Sequence, residues 1–264
     1  KLAEADAIDK VVPYLYSYNE DIREGVIVAI MKYCGIDGII LAGKMINSFF
    51  EDGSSENRLK ALSLLERIGL QGFYTFLREA LESEDREVKI KTIETIGNLK
   101  IQRLVPLLIK LLEQDEYKVT VIQSLIKFNA LIADQLIYSF KRSKNFTKQV
   151  ALIKILAMVR SEATNAFVLK QLANPMLCDA IFEALFRASF TTKNREVVNN
   201  LLNQNAKAII ESLVILEAFD VDAYANTYLI LGEQKNNKIE NIFFILSFFY
   251  PRQLILQARV NYHS

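Results

Sequence analysis

Apolar residues recur at intervals of three and four along most of this chain, and the stretch Asp85 to Gln114 shows the pattern most plainly. It predicts one helix with Val88, Thr92, Thr95, Ile96 and Leu99 on a single side, a short break at Lys100 to Gln102, and a second helix with Leu104, Leu107, Leu108, Leu111 and Leu112. The same unit repeats. The residue opening each second helix and the base after it align as Ile22 and Arg23, Asn57 and Arg58, Val88 and Lys89, Tyr117 and Lys118, Thr147 and Lys148, with Leu177 and Cys178 as a sixth unit that has lost the base. Small or apolar positions then share one register: Val26, Ala61, Thr92, Val121, Ala151 and Ile181, followed by Ile30, Leu65, Ile96, Leu125, Ile155 and Leu185. A two-helix period of this length is the mark of an α-solenoid.

Short polar breaks separate the helices. The first unit pairs a helix at Ala7 to Ser17 with one at Glu20 to Cys34, and the second pairs Gly38 to Phe50 with Glu56 to Ile68. Between the latter lies Glu51 to Ser55, with a glycine to relax the backbone and serines placed as N-caps. Similar breaks fall at Gly69 to Gly72, Ser83 to Asp85, Asp115, and Asn174 with Pro175. Pro13 and Pro106 belong near helix starts or kinks in the first helices of their units. After Phe190 the period stops. Asn194 to Phe219 reads as one long helix, with Val198, Leu201, Leu202, Ile209, Leu213 and Leu216 towards the core and Asn199, Asn203, Lys207 and Glu211 away from it. A second runs from Ala223 to Tyr250, with Gly232 and Lys235 to Lys238 as points of interruption, and Pro251 opens a last helix from Arg252 to Val260. The expectation is an all-α, right-handed α-solenoid (α/α superhelix), with six short helix pairs over 1–190 and a long-helix C-terminal cap over 191–264.

The basic residue after the opening position of the second helix, with small residues further on, resembles the HEAT repeat in its short bacterial form, over Ala7 to Phe190. The cap carries a second resemblance. Glu240, Ile242, Phe243, Leu246, Tyr250, Pro251, Ile255 and Ala258 match the segment that closes a HEAT-repeat domain fused behind transporters of the ATP/ADP-translocase type, in the major facilitator class. Phe244 and Ser247 depart from that pattern, standing where a polar residue and a glycine are expected. This resemblance implies a cytoplasmic regulatory domain, tethered to the inner membrane through a transporter portion and relaying contacts to a ligand-sensing domain. It further implies that the chain is a piece of a longer protein.

Composition narrows the chemistry. The 264 residues carry 32 Lys and Arg against 31 Asp and Glu, so no net field draws the chain onto nucleic acid or an anionic membrane. The longest apolar run, Ile242 to Tyr250, is too short to span a bilayer. Cys34 and Cys178 stand far apart in apolar helical patterns and read as buried free thiols suited to a reducing compartment. With His263 as the single histidine, di-iron and zinc sets are not expected, and no glycine-rich phosphate loop precedes a helix. A HEAT-like DNA glycosylase would need an aromatic, Trp-lined groove and a basic surface, and the chain has no Trp. Asp220 or Asp222 could be put forward as a general base, but nothing near them in sequence would tune either.

The expected function is therefore non-enzymatic, without cofactor or metal. The alternative to the transporter-associated domain is a free-standing adaptor that grips a peptide or helix of a partner protein in a concave groove. The candidate partner-binding residues are Arg23, Arg58, Lys89, Lys118 and Lys148, which the register lines up near the starts of successive second helices. The competing role for each is to pair with a nearby acid or carbonyl and hold the stack, with Asp21, Glu56, Asp85, Glu87 and Glu116 close by in sequence. Phe182, Phe186, Phe190, Phe219, Tyr224, Tyr228, Phe243, Phe248 and Phe249 read as core filling rather than a pocket. Tyr14, Tyr16 and Tyr18 alternate in a way that one helix face does not bury, so at least one of them is expected in solvent.

Overall fold

A computed structural model describes residues 5–51, 53–69, 71–218 and 225–263. Among the described residues every regular element is helical. The first helices of the six expected pairs are α1 (Ala5–Val11), α3 (Gly35–Glu51), α5 (Tyr74–Leu81), α7 (Val105–Leu111), α9 (Ala133–Arg142) and α11 (Glu162–Lys170). Their partners are α2 (Glu20–Tyr33), α4 (Ser55–Ile68), α6 (Arg86–Leu99), α8 (Asp115–Ile126), α10 (Phe146–Val159) and α12 (Cys178–Arg187). The non-periodic part forms α13 (Arg195–Ala218), α14 (Ala225–Ser247) and α15 (Arg252–His263).

The chain divides into two compact units, Lys1–Ile132 and Ala133–Ser264. In the first, α2 packs on α4, α4 on α6 and α6 on α8, and α3, α5 and α7 pack against their own partners. In the second, α10 packs on α12 and α12 on α14, with α13 laid along α14 and α15 against α14. The shared register explains the stacking. Of the twelve aligned small or apolar positions, all but Val26 are buried. Second helices that share one register present the same faces to their neighbours, so each repeat buries what the last one leaves open.

The stops of the second helices repeat as strictly as their cores. One residue per unit sits in the left-handed region: Gly35, Gly69, Lys100, Asn129, Arg160 and Ser189, with φ of 61°, 76°, 52°, 52°, 56° and 52°. Only the first two are glycine, which is why this punctuation is invisible to a search for glycine breaks. The starts are also periodic, with Asn19, Ser54, Asp85 and Asn145 each accepting a backbone N–H of the first turn through the side chain.

Some elements differ from expectation. The first helix of unit one turns from α to 3-10 geometry at Val12–Tyr16, with Pro13 in its first turn. Leu15 alone is buried there, so Tyr14, Tyr16 and Tyr18 are all exposed. Pro106 likewise sits in the first turn of α7, where a missing N–H costs nothing. α14 runs unbroken through Gly232 and Lys235 to Lys238, because pairing with α13 outweighs the roughly 1 kcal/mol propensity cost of one glycine. On α13, Val198 and Leu201 are buried as expected, but Leu213 is 42% exposed beside exposed Ile210 and Val214. The main packing partner of α13 is α14, and these side chains stand in solvent.

Candidate functional site

Four of the five basic ladder residues occupy the fourth position of their helix and Lys148 the third, which is what the alignment requires. All five are half-buried. Arg23 Nη1 donates to the carbonyl of Ser17 at 3.1 Å. Lys89 Nζ lies 5.2 Å from the centre of the Tyr117 ring, on the next repeat. Lys118 Nζ is 3.1 Å from Asp115 Oδ1 at the start of its own helix. Arg58 helps to hold the Asp85 carboxyl below its usual range, after the larger effects of the Ser55 hydroxyl and the Val88 N–H that Asp85 accepts. The ladder thus carries contacts of its own along the second helices.

A polar network beside it escaped the register. Glu66 on α4 receives Thr95 Oγ1 at 2.7 Å, Asn98 Nδ2 at 3.0 Å and Lys91 Nζ at 3.0 Å, all from α6. Asn98 in turn accepts from Lys127 Nζ at 2.6 Å, just past α8. Burial pushes the Glu66 carboxyl up, but the three donors together outweigh it and leave the group below its ordinary value. Further ion pairs join neighbouring second helices: Lys60 to Glu20 at 2.8 Å, Arg67 to Glu24 at 2.7 Å, Arg86 to Glu116 at 2.5 Å and Lys154 to Glu183 at 3.5 Å. Helical spacing cannot reveal these pairs, since partners a whole repeat apart in sequence meet only after the repeats stack.

The other singled-out residues among those described make local packing and polar contacts. Cys34 and Cys178 are free, half-buried thiols at helix ends rather than inside helices. Cys178 Sγ donates to the carbonyl of Leu172 at 3.2 Å, and burial pushes its thiol up, away from a reactive thiolate. His263 closes α15 with Nε2 2.7 Å from Glu240 Oε1, whose other oxygen meets Arg259 Nε at 2.7 Å. The aromatics pack between α12 and α14: Phe182 and Phe248 stack at 6.5 Å, Phe190 meets Phe248 edge-on at 5.3 Å, and Phe186 meets Phe244 at 4.8 Å. Tyr228 is partly exposed. Phe219, Asp220, Asp222 and Tyr224 lie outside the described residues. Among the described residues no group of three His, Cys, Asp or Glu side chains could hold a metal ion, and no helix is long and apolar enough to cross a membrane.

A groove of about 320 Å³ borders the ladder at Lys89, between the C-terminal turns of α5 and α7. It has leucines beneath and cations at its rim, and it contains no paired acid and base that could move a proton. Its surface is suited to holding a chain segment.

The family of HEAT repeats matches residues 44–126, which covers α3 to α8 in whole or part. No curated protein sequence matches the chain. Among solved structures, one similar chain belongs to the complex of CpcE and CpcF of phycocyanin lyase from Nostoc sp. PCC7120, at 17% identity and a TM-score of 0.39 over 88% of this chain and 94% of that one. The family match ends well before Glu240 to Pro251, so it does not bear on the transporter-like words of the cap. The repeat register and the stacked helix pairs identify an all-α helical-repeat architecture, and within it residues 44–126 match the family of HEAT repeats.

Proposed function

We propose that this chain is a non-catalytic adaptor, one that holds a peptide or helix of a partner protein against its stacked repeats. The match of residues 44–126 to HEAT repeats carries this reading. Arg23, Arg58, Lys89 and Lys118 of the first unit are its candidate contact surface, with Lys148 the corresponding residue in the second, since half-buried cations at the same place in successive second helices can meet acidic groups of a bound chain. Charge reversal at Lys89 and Lys118 tests it. The K89E/K118E chain on a resin should release the partner that the wild-type chain retains, with its thermal midpoint little changed. Retention of the partner together with a lowered midpoint would assign the ladder to stacking alone.

A second reading rests on the cap words at Glu240, Ile242, Phe243, Leu246, Tyr250, Pro251, Ile255 and Ala258. Under it the chain is the cytoplasmic domain of an ATP/ADP-translocase-like transporter and its partner lies within the same polypeptide. The full-length reading frame decides this, and a frame without an upstream multi-span segment ends it.

A further inference from the structure

The groove beside Lys89 combines an apolar floor with a cationic rim. Its floor is leucine: Leu81, which is buried, with Leu107 and Leu111, which are half-buried. Its rim sets Arg78, Lys89 and Lys110 against a single carboxylate, Glu82. Among the described residues neither Arg78 nor Lys110 has an ion-pair partner, and both are exposed. Arg78 and Lys110 each stand in the last turn of a helix, where the free carbonyls favour a cation. That effect accounts for one base per helix. Lys89, in the first turn of α6, where the helix dipole opposes a cation, is held instead over the Tyr117 ring at 5.2 Å and adds its charge to the rim.

We propose that this groove binds an acidic segment of a partner protein in which a leucine-like side chain is flanked by carboxylates. The apolar side chain lies on Leu81, Leu107 and Leu111, and the carboxylates reach Arg78 and Lys110, the guanidinium donating two parallel N–H bonds to one of them. This assignment rests on the adaptor reading above and moves the main contact from the second helices to the junction of first helices α5 and α7. Duplex nucleic acid is a poorer fit, because it normally engages on the order of 6 to 10 phosphates and has nothing to place on a leucine floor.

Fluorescence anisotropy on the full chain with a fluorescein-labelled peptide of Leu-Glu-Glu repeats tests the assignment. The wild-type chain should bind it, and R78E/K110E should weaken binding by at least about tenfold with an unchanged melting curve. R78A/K110A should show a smaller loss, and K118E none. A peptide with Ser in place of Leu should bind less well than the parent. Absence of binding by the wild-type chain, equal binding by R78E/K110E, or indifference to the Ser exchange would each overturn the groove. If K118E rather than R78E/K110E abolishes peptide binding, the groove falls and the ladder adaptor stands.

Discussion

Glu66 shows how much one side chain can do in a repeat stack. It holds three donors from α6, of which Lys91 would be left half-buried without its anion if Glu66 were neutral. Glu66→Gln should therefore lower unfolding free energy by roughly 1–3 kcal/mol, measured by chemical denaturation near neutral pH. The same group sets a pH window. Its carboxyl is held below the ordinary 4.5 in the folded chain, so the unfolded chain binds the proton more readily, and the stabilisation is full above the unfolded value and lost as pH falls through the folded one. The difference between wild type and Glu66→Gln should shrink over that acid range. The ladder bases were legible from spacing because each stands near the start of its own helix, one per repeat. Glu66, Lys91, Thr95 and Asn98 were not, because their meeting depends on which faces of α4 and α6 touch.

At the scale of elements, the contact between α6 and α8 depends on a small residue. A Cβ on Gly97 would stand 2.8 Å from both Cα and Cβ of Ser124, so Gly97→Ala should cost about 1–3 kcal/mol by forcing the helices apart. Ser124 is itself buried, and its Oγ has no hydrogen-bond partner among the described residues. Ser124→Ala should accordingly be neutral or stabilising in the same denaturation experiment, which separates the loss of close approach from the loss of a polar contact. Between α12 and α14, Phe248 is buried against Phe182 and Phe190. Phe248→Ala should cost roughly 3–5 kcal/mol through the cavity it leaves. The cap words gain a physical meaning here. Glu240 ties α14 to α15, and Phe244, a departure from the transporter-type pattern, packs on Phe186.

For the whole molecule, charge balance sets what the chain will and will not bind. Thirty-two bases face 31 acids, and many pair with one another across repeats. No shift of duplex DNA is expected in a gel at physiological ionic strength, and a salt-sensitive shift there would contradict the protein-binding reading. Within each unit the second helices bury the shared face, and stability should follow from nearest-neighbour contacts. In the second unit α12 packs on α14, so the long-helix segment covers the face that a further repeat would otherwise occupy.

Periodicity alone pointed to paired helices in a shared register, to eleven of the twelve aligned buried positions and to long helices after Phe190, because a side chain's place on a helix follows from its number in the chain. Tertiary structure decided what numbering cannot express. It chose which carboxylate of one repeat meets which base of the next, turned Tyr14, Tyr16, Tyr18 and Leu213 to solvent, placed left-handed stops on Lys100, Asn129, Arg160 and Ser189, and gathered Arg78, Lys89 and Lys110 around three leucines. Each of these outcomes depends on distances between residues that the chain separates and packing brings together.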